Sequence, residues 1–271
     1  MLVGLKEILA IAEEKKAAIP AFNVYNMETA MGIRDAAVET GAPVIFQMYS
    51  RLFDTAGARF IAPMILEMIH SLPVPAAFHL DHGAGVPQVM RALRYGASSI
   101  MIDASTYSLQ DNISTTKVVV DMCREVRVDV EGELGHIGTT KDAAMSEYTK
   151  VEEAVEYVNK TGVAALAVMV GTAHGHYKQA PVLDIDRIRE IKDAVKIPLV
   201  LHGGSGVPED QIQKAIEAGI CKINFGTDVC CSFLDSVHRV PQDVIAVDLF
   251  MKEPTLAVKR FAMEKIKLLG V

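Results

Sequence analysis

Three short stretches concentrate the groups that could do chemistry. Phe78-His79-Leu80-Asp81-His82-Gly83 sets a carboxyl between two imidazoles and follows them with a glycine. Gly171-Thr172-Ala173-His174-Gly175 and His202-Gly203-Gly204-Ser205-Gly206 each join an imidazole to glycines. An apolar run precedes each stretch: Ala76 to Phe78, Leu166 to Val170, and Pro198 to Leu201. Short apolar runs of this kind read as buried parallel strands. A strand that delivers an ionisable group at its carboxyl end is building a site. His82, His174 and His202, one at each of these ends, could hold a metal with at least one coordination position open.

Asp81, next to one of those imidazoles, is the best general acid/base candidate. Asp103, Glu131 and Glu133 read as acceptors that orient the imidazoles, with a purely structural salt network as the alternative. His176 could compete with His174 as a ligand, His79 could line the site, and His70 and His238 fall in helical, surface segments. The turn Gly203-Gly204-Ser205-Gly206 and the later Gly226-Thr227-Asp228, which opens a helix, suit phosphate: backbone N–H groups, a hydroxyl and a helix N-terminus converge there. Lys178 could add a point charge or be an ordinary solvated lysine.

These groups need elements to position them. Apolar residues at helical spacing run from Leu5 to Lys15, a helix placed to cap the bottom of a barrel. Strands are expected at Ile19–Val24, Pro43–Gln47, the Phe78 stretch, Ser99–Asp103, Val128–Glu133, Leu166–Val170, Pro198–Leu201 and Cys221–Phe225, with helices between them. Pro63 should interrupt the helix that spans 56–71, and the C-terminal helical extension should break around Pro241 and Pro254. The alternating acids of strand five should point into a polar barrel mouth, since they cannot sit unpaired in a dry core. The polar segment 135–150 is long for a barrel connection and reads as a lid. Strands alternating with helices, and no Pro/Gly/Ser-rich linker, make 1–271 one α/β domain, a (β/α)8 TIM barrel; a doubly wound open sheet is the rival.

Bulk properties narrow the partners. The net charge is −7 over 271 residues, with no basic cluster, which argues against nucleic acid. No apolar run is long enough to span a bilayer and the N-terminus does not read as a signal peptide. The four cysteines have no CxxC spacing, so free thiols in a reducing cytoplasm are expected.

Read together, Ala21-Phe22-Asn23-Val24, His79-Leu80-Asp81-His82-Gly83, Ile102-Asp103-Ala104-Ser105, Val130-Glu131-Gly132-Glu133-Leu134-Gly135, Gly171 to Gly175, His202 to Gly206 and Lys222-Ile223-Asn224 resemble, in order and spacing, the class II, zinc-dependent ketose-bisphosphate aldolases. The resemblance covers nearly the whole chain. It implies a barrel that reversibly cleaves a ketose phosphate at C3–C4 to dihydroxyacetone phosphate and an aldehyde. It implies zinc (Zn2+) on His82, His174 and His202, with Asp81 moving the proton of the C4 oxygen. Asn23, Gly175, Lys178, Gly203, Ser205, Asn224 and Thr227 would surround dihydroxyacetone phosphate, with a monovalent cation near the phosphate. A cytoplasmic homodimer or homotetramer is implied as well.

The chain departs from that pattern at several places. Thr140-Lys141-Asp142 stands where the family usually has an acidic run. Gln47-Met48-Tyr49 replaces Gln-x-Ser, and Gly226 and Cys230 replace an acid and an arginine that fructose-specific members tend to have. The expected substrate is therefore a ketose phosphate other than fructose 1,6-bisphosphate, with Arg51 a candidate to supply charge to the aldehyde half. Two other functions compete. A zinc hydrolase on the same fold would place His-x-His on strand one, where Ala21-Phe22-Asn23 stands. A non-catalytic relative that binds sugar phosphate or serves as a partner subunit would not need Asp81.

Overall fold

The computed structural model describes residues 1–138, 148–175, 177 and 179–271. The first half runs α1 (Leu5–Lys15), β1 (Ile19–Asn23), α2 (Met27–Thr40), β2 (Val44–Tyr49), α3 (Ser50–Phe53), α4 (Ala58–His70), β3 (Ala76–Gly83), α5 (Val86–Arg94) and β4 (Ser99–Ile102). The chain continues with α6 (Leu109–Glu125), β5 (Asp129–Leu134), α7 (Val151–Thr161), β6 (Ala165–Val168), α8 (Ile185–Val195) and β7 (Leu199–Leu201). It ends with α9 (Glu209–Glu217), β8 (Ile220–Phe225), α10 (Thr227–Arg239), α11 (Val247–Phe250) and α12 (Lys252–Leu269). Every strand is parallel to its neighbours, and β8 returns to pair with β1, which closes the barrel and rules out the open sheet.

Two apolar layers hold it together. Leu5, Ile8, Leu9 and Ala12 of α1 are fully buried against Ile19, Ala21, Ile45, Ala77, Ala167 and Val200, so α1 plugs the amino end of the barrel. Asp129 accepts from Lys6 N at 3.0 Å at that same end, so this acid of β5 serves the first turn of α1 rather than the mouth. The larger core lies between the sheet and the outer helices. Burial on both strand faces explains why these strands read as near-continuous apolar runs.

Pro63 acts differently from expectation. Pro63 lies inside α4, exposed, and the helix continues through it; the carbonyl left without a donor belongs to Arg59, also exposed, where water can satisfy it. The C-terminal extension breaks near Pro241 and again at Met251, as expected, and divides into three helices; Pro254 falls in the first turn of α12, where no intrahelical N–H bond is lost. Pro43 and Pro198 stand just before β2 and β7 rather than in them, since proline cannot donate to the ladder. Strand six ends early: Met169 leaves the ladder to bond Thr149, and Val170 O accepts from Asp184 N. Residues 139–147 of the expected lid lie outside the described residues.

Candidate active site

A cavity of about 380 Å³ opens at the carboxyl end of the barrel. Its lining includes Asn23, Asp81, His82, Asp103, His174, Gly175, Gly203, Ser205, Asn224 and Thr227, so ten sequence-predicted site residues meet there. Lys178 and the alternative ligand His176 lie outside the described residues. His70 and His238 are exposed on helices, as expected.

The imidazoles of His82, His174 and His202 offer ligand atoms within 4.8 Å of one another. Their rings meet edge to face, with centroids 4.8 Å apart for His82–His202 and 4.9 Å for His82–His174. The strand delivering His82 is irregular: β3 shifts register against β4 between Leu80 and Gly83, and His82 itself takes a positive φ of 51°. That left-handed conformation is uncommon for a residue with a Cβ and tends to occur where the surroundings enforce it. Here it accompanies an imidazole aimed into the mouth rather than into the sheet.

Each of two rings is held from behind by a carboxylate. His82 Nδ1 lies 2.8 Å from Asp103 Oδ2, and His202 Nε2 lies 2.9 Å from Glu131 Oε1. Both nitrogens donate in those contacts, because an ionised carboxylate only accepts. In neutral rings the remaining nitrogens, His82 Nε2 and His202 Nδ1, then turn lone pairs toward each other at 3.1 Å. Such a pair needs a cation or a proton between them. Two nitrogens on a tetrahedral zinc stand about 3.3 Å apart at ordinary Zn–N bond lengths. His174 Nε2 is buried with no hydrogen-bond partner. The donor set, its spacing and this orphaned nitrogen fit a metal ion.

The electrostatics agree. Burial opposes a charge on His82, but Asp81, Asp103 and Glu133 outweigh it and push the imidazole up to about 10. The mouth thus favours positive charge at this point. Burial, reinforced by His82, pushes His174 down to about 4 and His202 well below its ordinary range, toward the neutral form that ligates metals. Burial also raises Glu133 to about 8, with Asp103 adding to it. Burial would raise Asp103 as well, but its bonds with His82 and Ser105 hold it well below the usual carboxylate range.

Asp81 sits in an amide cradle. Asn23 Nδ2 donates to one carboxylate oxygen at 2.8 Å and Asn224 Nδ2 to the other at 3.3 Å, while Gln47 Nε2 holds Asn23 Oδ1 at 2.8 Å. The nearest imidazole nitrogen of His82 is 3.9 Å from Asp81. The carboxylate is therefore oriented by neutral donors, beside the three-imidazole cluster and outside it.

On the far wall, Gly203 and Gly206 take positive φ of 65° and 76°. A Cβ on Gly203 would come within 2.4 Å of Ala173 O, so only glycine lets this turn pack against the His174 loop. Ser205 Oγ accepts from Asp228 N in the first turn of α10 at 3.1 Å, which leaves its proton free to donate. Gly226 and Thr227 open α10 at the cavity wall. A helix N-terminus, turn amides and two hydroxyls together form a polar wall suited to an anion.

Lys222, Ser105 and His136 carried no signal of a role in the sequence, whereas His79 and Arg51 stood out as candidates. Lys222 is fully buried and bonds both oxygens of Glu131, at 3.2 and 2.9 Å. His79, also fully buried, places Nδ1 2.8 Å from Ser99 Oγ and faces Glu131 at 3.8 Å, so it belongs to the layer beneath the cavity. Ser105 and His136 join the Asp103 side, and Arg51 packs over the Tyr49 ring at 5.0 Å on the cavity wall.

A family model described as fructose-bisphosphate aldolase class-II matches residues 3–271. The uncharacterized protein YdjI of Escherichia coli (strain K12) is 38% identical over 263 residues, spanning 96% of this chain and 94% of that protein. The crystal structure of the YdjI aldolase from Escherichia coli K12 superposes with a TM-score of 0.91 at 36% identity, covering 100% of this chain and 98% of that one. A putative fructose-1,6-biphosphate aldolase from Coccidioides immitis gives 0.91 at 27% identity, with 98% and 95% covered. The match runs through every strand that feeds the cavity, and the chain belongs to the class II fructose-bisphosphate aldolase family, as a metal-dependent aldolase of the lyase class.

Proposed function

We propose that this aldolase is zinc-dependent and reversibly cleaves a ketose phosphate at C3–C4 to dihydroxyacetone phosphate and an aldehyde. The observation that supports it most is the convergence of His82, His174 and His202 beside Asp81, with two of the rings locked by carboxylates. Those three residues would hold the ion, and nitrogen donors in that number suit zinc. Bound zinc would polarise the ketose carbonyl and stabilise the negative charge that develops as the carbon–carbon bond breaks.

The chain's own groups do the rest. Asp81 takes the proton of the C4 hydroxyl as the bond breaks and returns it to the aldehyde oxygen in condensation. Asn23 and Asn224 keep the carboxylate aimed while it does so. The phosphate of the dihydroxyacetone half rests against the turn at Gly203 and Ser205, Gly175, and the start of α10 at Thr227. Lys178 and a monovalent cation would add positive charge there. Asp103 and Glu131 orient the imidazoles, and Glu133 adds negative charge beside them.

We assign the aldehyde half to the side of the cavity lined by Tyr49, Arg51 and Gly226. Arg51 is the described cation there, and it can meet an anionic terminus. Four cysteines outside any disulfide support a place in the cytoplasm, and no helix among the described residues is long and apolar enough to cross a membrane. The working state we propose is a homodimer or homotetramer.

The test is a panel of ketose 1-phosphates and bisphosphates assayed for dihydroxyacetone phosphate release, before chelation, after it, and after zinc is restored. Activity lost on chelation and recovered with zinc supports the proposal. Cleavage that survives complete metal removal contradicts it, as does a failure to cleave any member of the panel.

A further inference from the structure

Breaking the carbon–carbon bond leaves an electron pair on the carbon next to the carbonyl of dihydroxyacetone phosphate. Some group must protonate that carbon, and in condensation the same group must take the proton away. The cavity's titratable residues are mostly occupied otherwise. Asp81 is cradled for the C4 oxygen. Both oxygens of Asp103 are engaged, one by His82 and the other by the hydroxyl and the amide of Ser105. Tyr25 and Tyr49 are phenols that burial pushes above the usual phenol range, so both stay protonated near neutrality. His82, His174 and His202 form the metal set.

His136 lines the same cavity. It follows Gly135, whose positive φ of 78° turns the chain just after β5. The two residues that follow it are fastened. Ile137 N donates to Glu133 Oε1 at 3.2 Å, and Gly138 O accepts from His174 N at 2.9 Å. The imidazole is therefore placed by the metal-binding framework itself.

The hydrogen bonds also select its tautomer. His136 Nδ1 lies 3.2 Å from Ser105 Oγ, and that hydroxyl lies 2.7 Å from Asp103 Oδ1. A serine hydroxyl has one proton, and two carboxyl groups compete for it, Asp103 Oδ1 at 2.7 Å and Glu133 Oε1 at 3.0 Å. Toward His136 the oxygen then presents a lone pair, so Nδ1 carries the proton of the neutral ring. Nε2 is left as the basic nitrogen. The side chain is solvent-exposed, so a proton it gains can be exchanged with water.

We propose that His136 is the base that moves the carbon-bound proton of dihydroxyacetone phosphate. In condensation the C–H bond of the hydroxymethyl carbon breaks, its proton goes to His136 Nε2, and the electron pair enters the enediolate. In cleavage the pair of the broken C3–C4 bond forms the same enediolate, and the imidazolium returns its proton to that carbon. No further reactant is needed. The inference rests on the aldolase reading of the cavity.

The experiment follows deuterium exchange into dihydroxyacetone phosphate by NMR in zinc-loaded wild type, His136→Gln and His136→Glu, with zinc content and dihydroxyacetone phosphate binding measured alongside. His136→Gln should lower exchange and cleavage together by about 10²–10⁴-fold, the usual contribution of a general base. Zinc content and binding should stay within a few-fold of wild type. His136→Glu, which restores a basic group, should recover part of the exchange. Exchange in His136→Gln within a few-fold of wild type overturns the assignment, and so does loss of zinc in that variant. A selective loss of exchange in Asp142→Asn or Glu147→Gln, with His136→Gln unaffected, overturns it too. No exchange in the wild type would sink the aldolase reading and this inference with it, whereas exchange that survives His136→Gln sinks this inference alone.

Discussion

A carboxylate 3.9 Å from an imidazole can serve the metal or serve a proton, and the neighbours of Asp81 decide which. Two amide donors satisfy it without any positive charge, which supports the proposed role of a proton-transfer group beside the ion rather than a ligand of it. Asp81→Ala should keep bound zinc and the folded state while cleavage falls by about 10²–10⁴-fold; zinc analysis, circular dichroism and kcat on one preparation check this, and undiminished turnover would refute the role. In the proposed function Arg51 meets the other half of the substrate. Removing a charge-assisted contact costs roughly 1.5–3 kcal/mol, or about one to two powers of ten in affinity. Arg51→Ala should therefore raise KM for fructose or tagatose 1,6-bisphosphate by that factor and leave fructose 1-phosphate nearly unchanged. An equal effect on all three would place Arg51 elsewhere. In the wild type, a clear preference for fructose 1,6-bisphosphate over the other two would contradict the specificity read from Gly226 and Cys230.

At the scale of elements, what was legible in the sequence was whatever parallel burial imposes. Strands β3, β6 and β7 are apolar because both their faces are covered, and the polar residues at their carboxyl ends stand out against that background. His82, His174 and His202 could be singled out for that reason. Lys222 and His136 could not. A lysine inside a strand looks like a surface residue until the sheet closes and sets it against Glu131, on a strand that is not its neighbour. His136 follows a turn and has no periodicity; its importance comes from Ser105, thirty-one positions away. Proline marks the breaks of the C-terminal extension, where Pro254 is in a first turn, but not of α4, where Pro63 faces water and the helix runs on. The turn after β7 offers a test at this scale. Gly203→Ala would place a methyl 2.4 Å from Ala173 O at a φ of 65°, so the turn must move. We expect lower stability and a raised KM for dihydroxyacetone phosphate in condensation, read by thermal unfolding and initial rates; wild-type values for both would show that the turn is not a rigid phosphate cradle.

For the whole molecule, closure of the barrel is what makes the chemistry possible. It brings residues from β3, β5, β7 and β8 onto one axis, with α1 sealing the amino end and the polar layer of His79, Glu131 and Lys222 beneath the cavity. Glu131 holds His202 and is in turn held by Lys222, both fully buried. Breaking a buried ion pair from one side leaves an uncompensated charge and costs about 3–5 kcal/mol. Lys222→Met should lower unfolding stability by that amount and weaken zinc about 10- to 100-fold, since outer partners of ligating imidazoles commonly contribute that much. Unfolding in denaturant and a competitive zinc titration read the two effects; unchanged values for both would mean that the pair supports neither fold nor site.

The claim on which all of this depends is that three imidazoles at the barrel mouth hold one zinc. X-ray absorption at the zinc edge, with metal analysis of His82→Ala, His174→Ala, His202→Ala and His176→Ala, tests it most directly. We expect one zinc per chain in the wild type, a first shell of three nitrogen ligands at about 2.0–2.1 Å, and loss of most of the metal in each of the first three variants but not in His176→Ala. Full zinc retained by His174→Ala and lost from His176→Ala, or a first shell without three imidazole nitrogens, would contradict it.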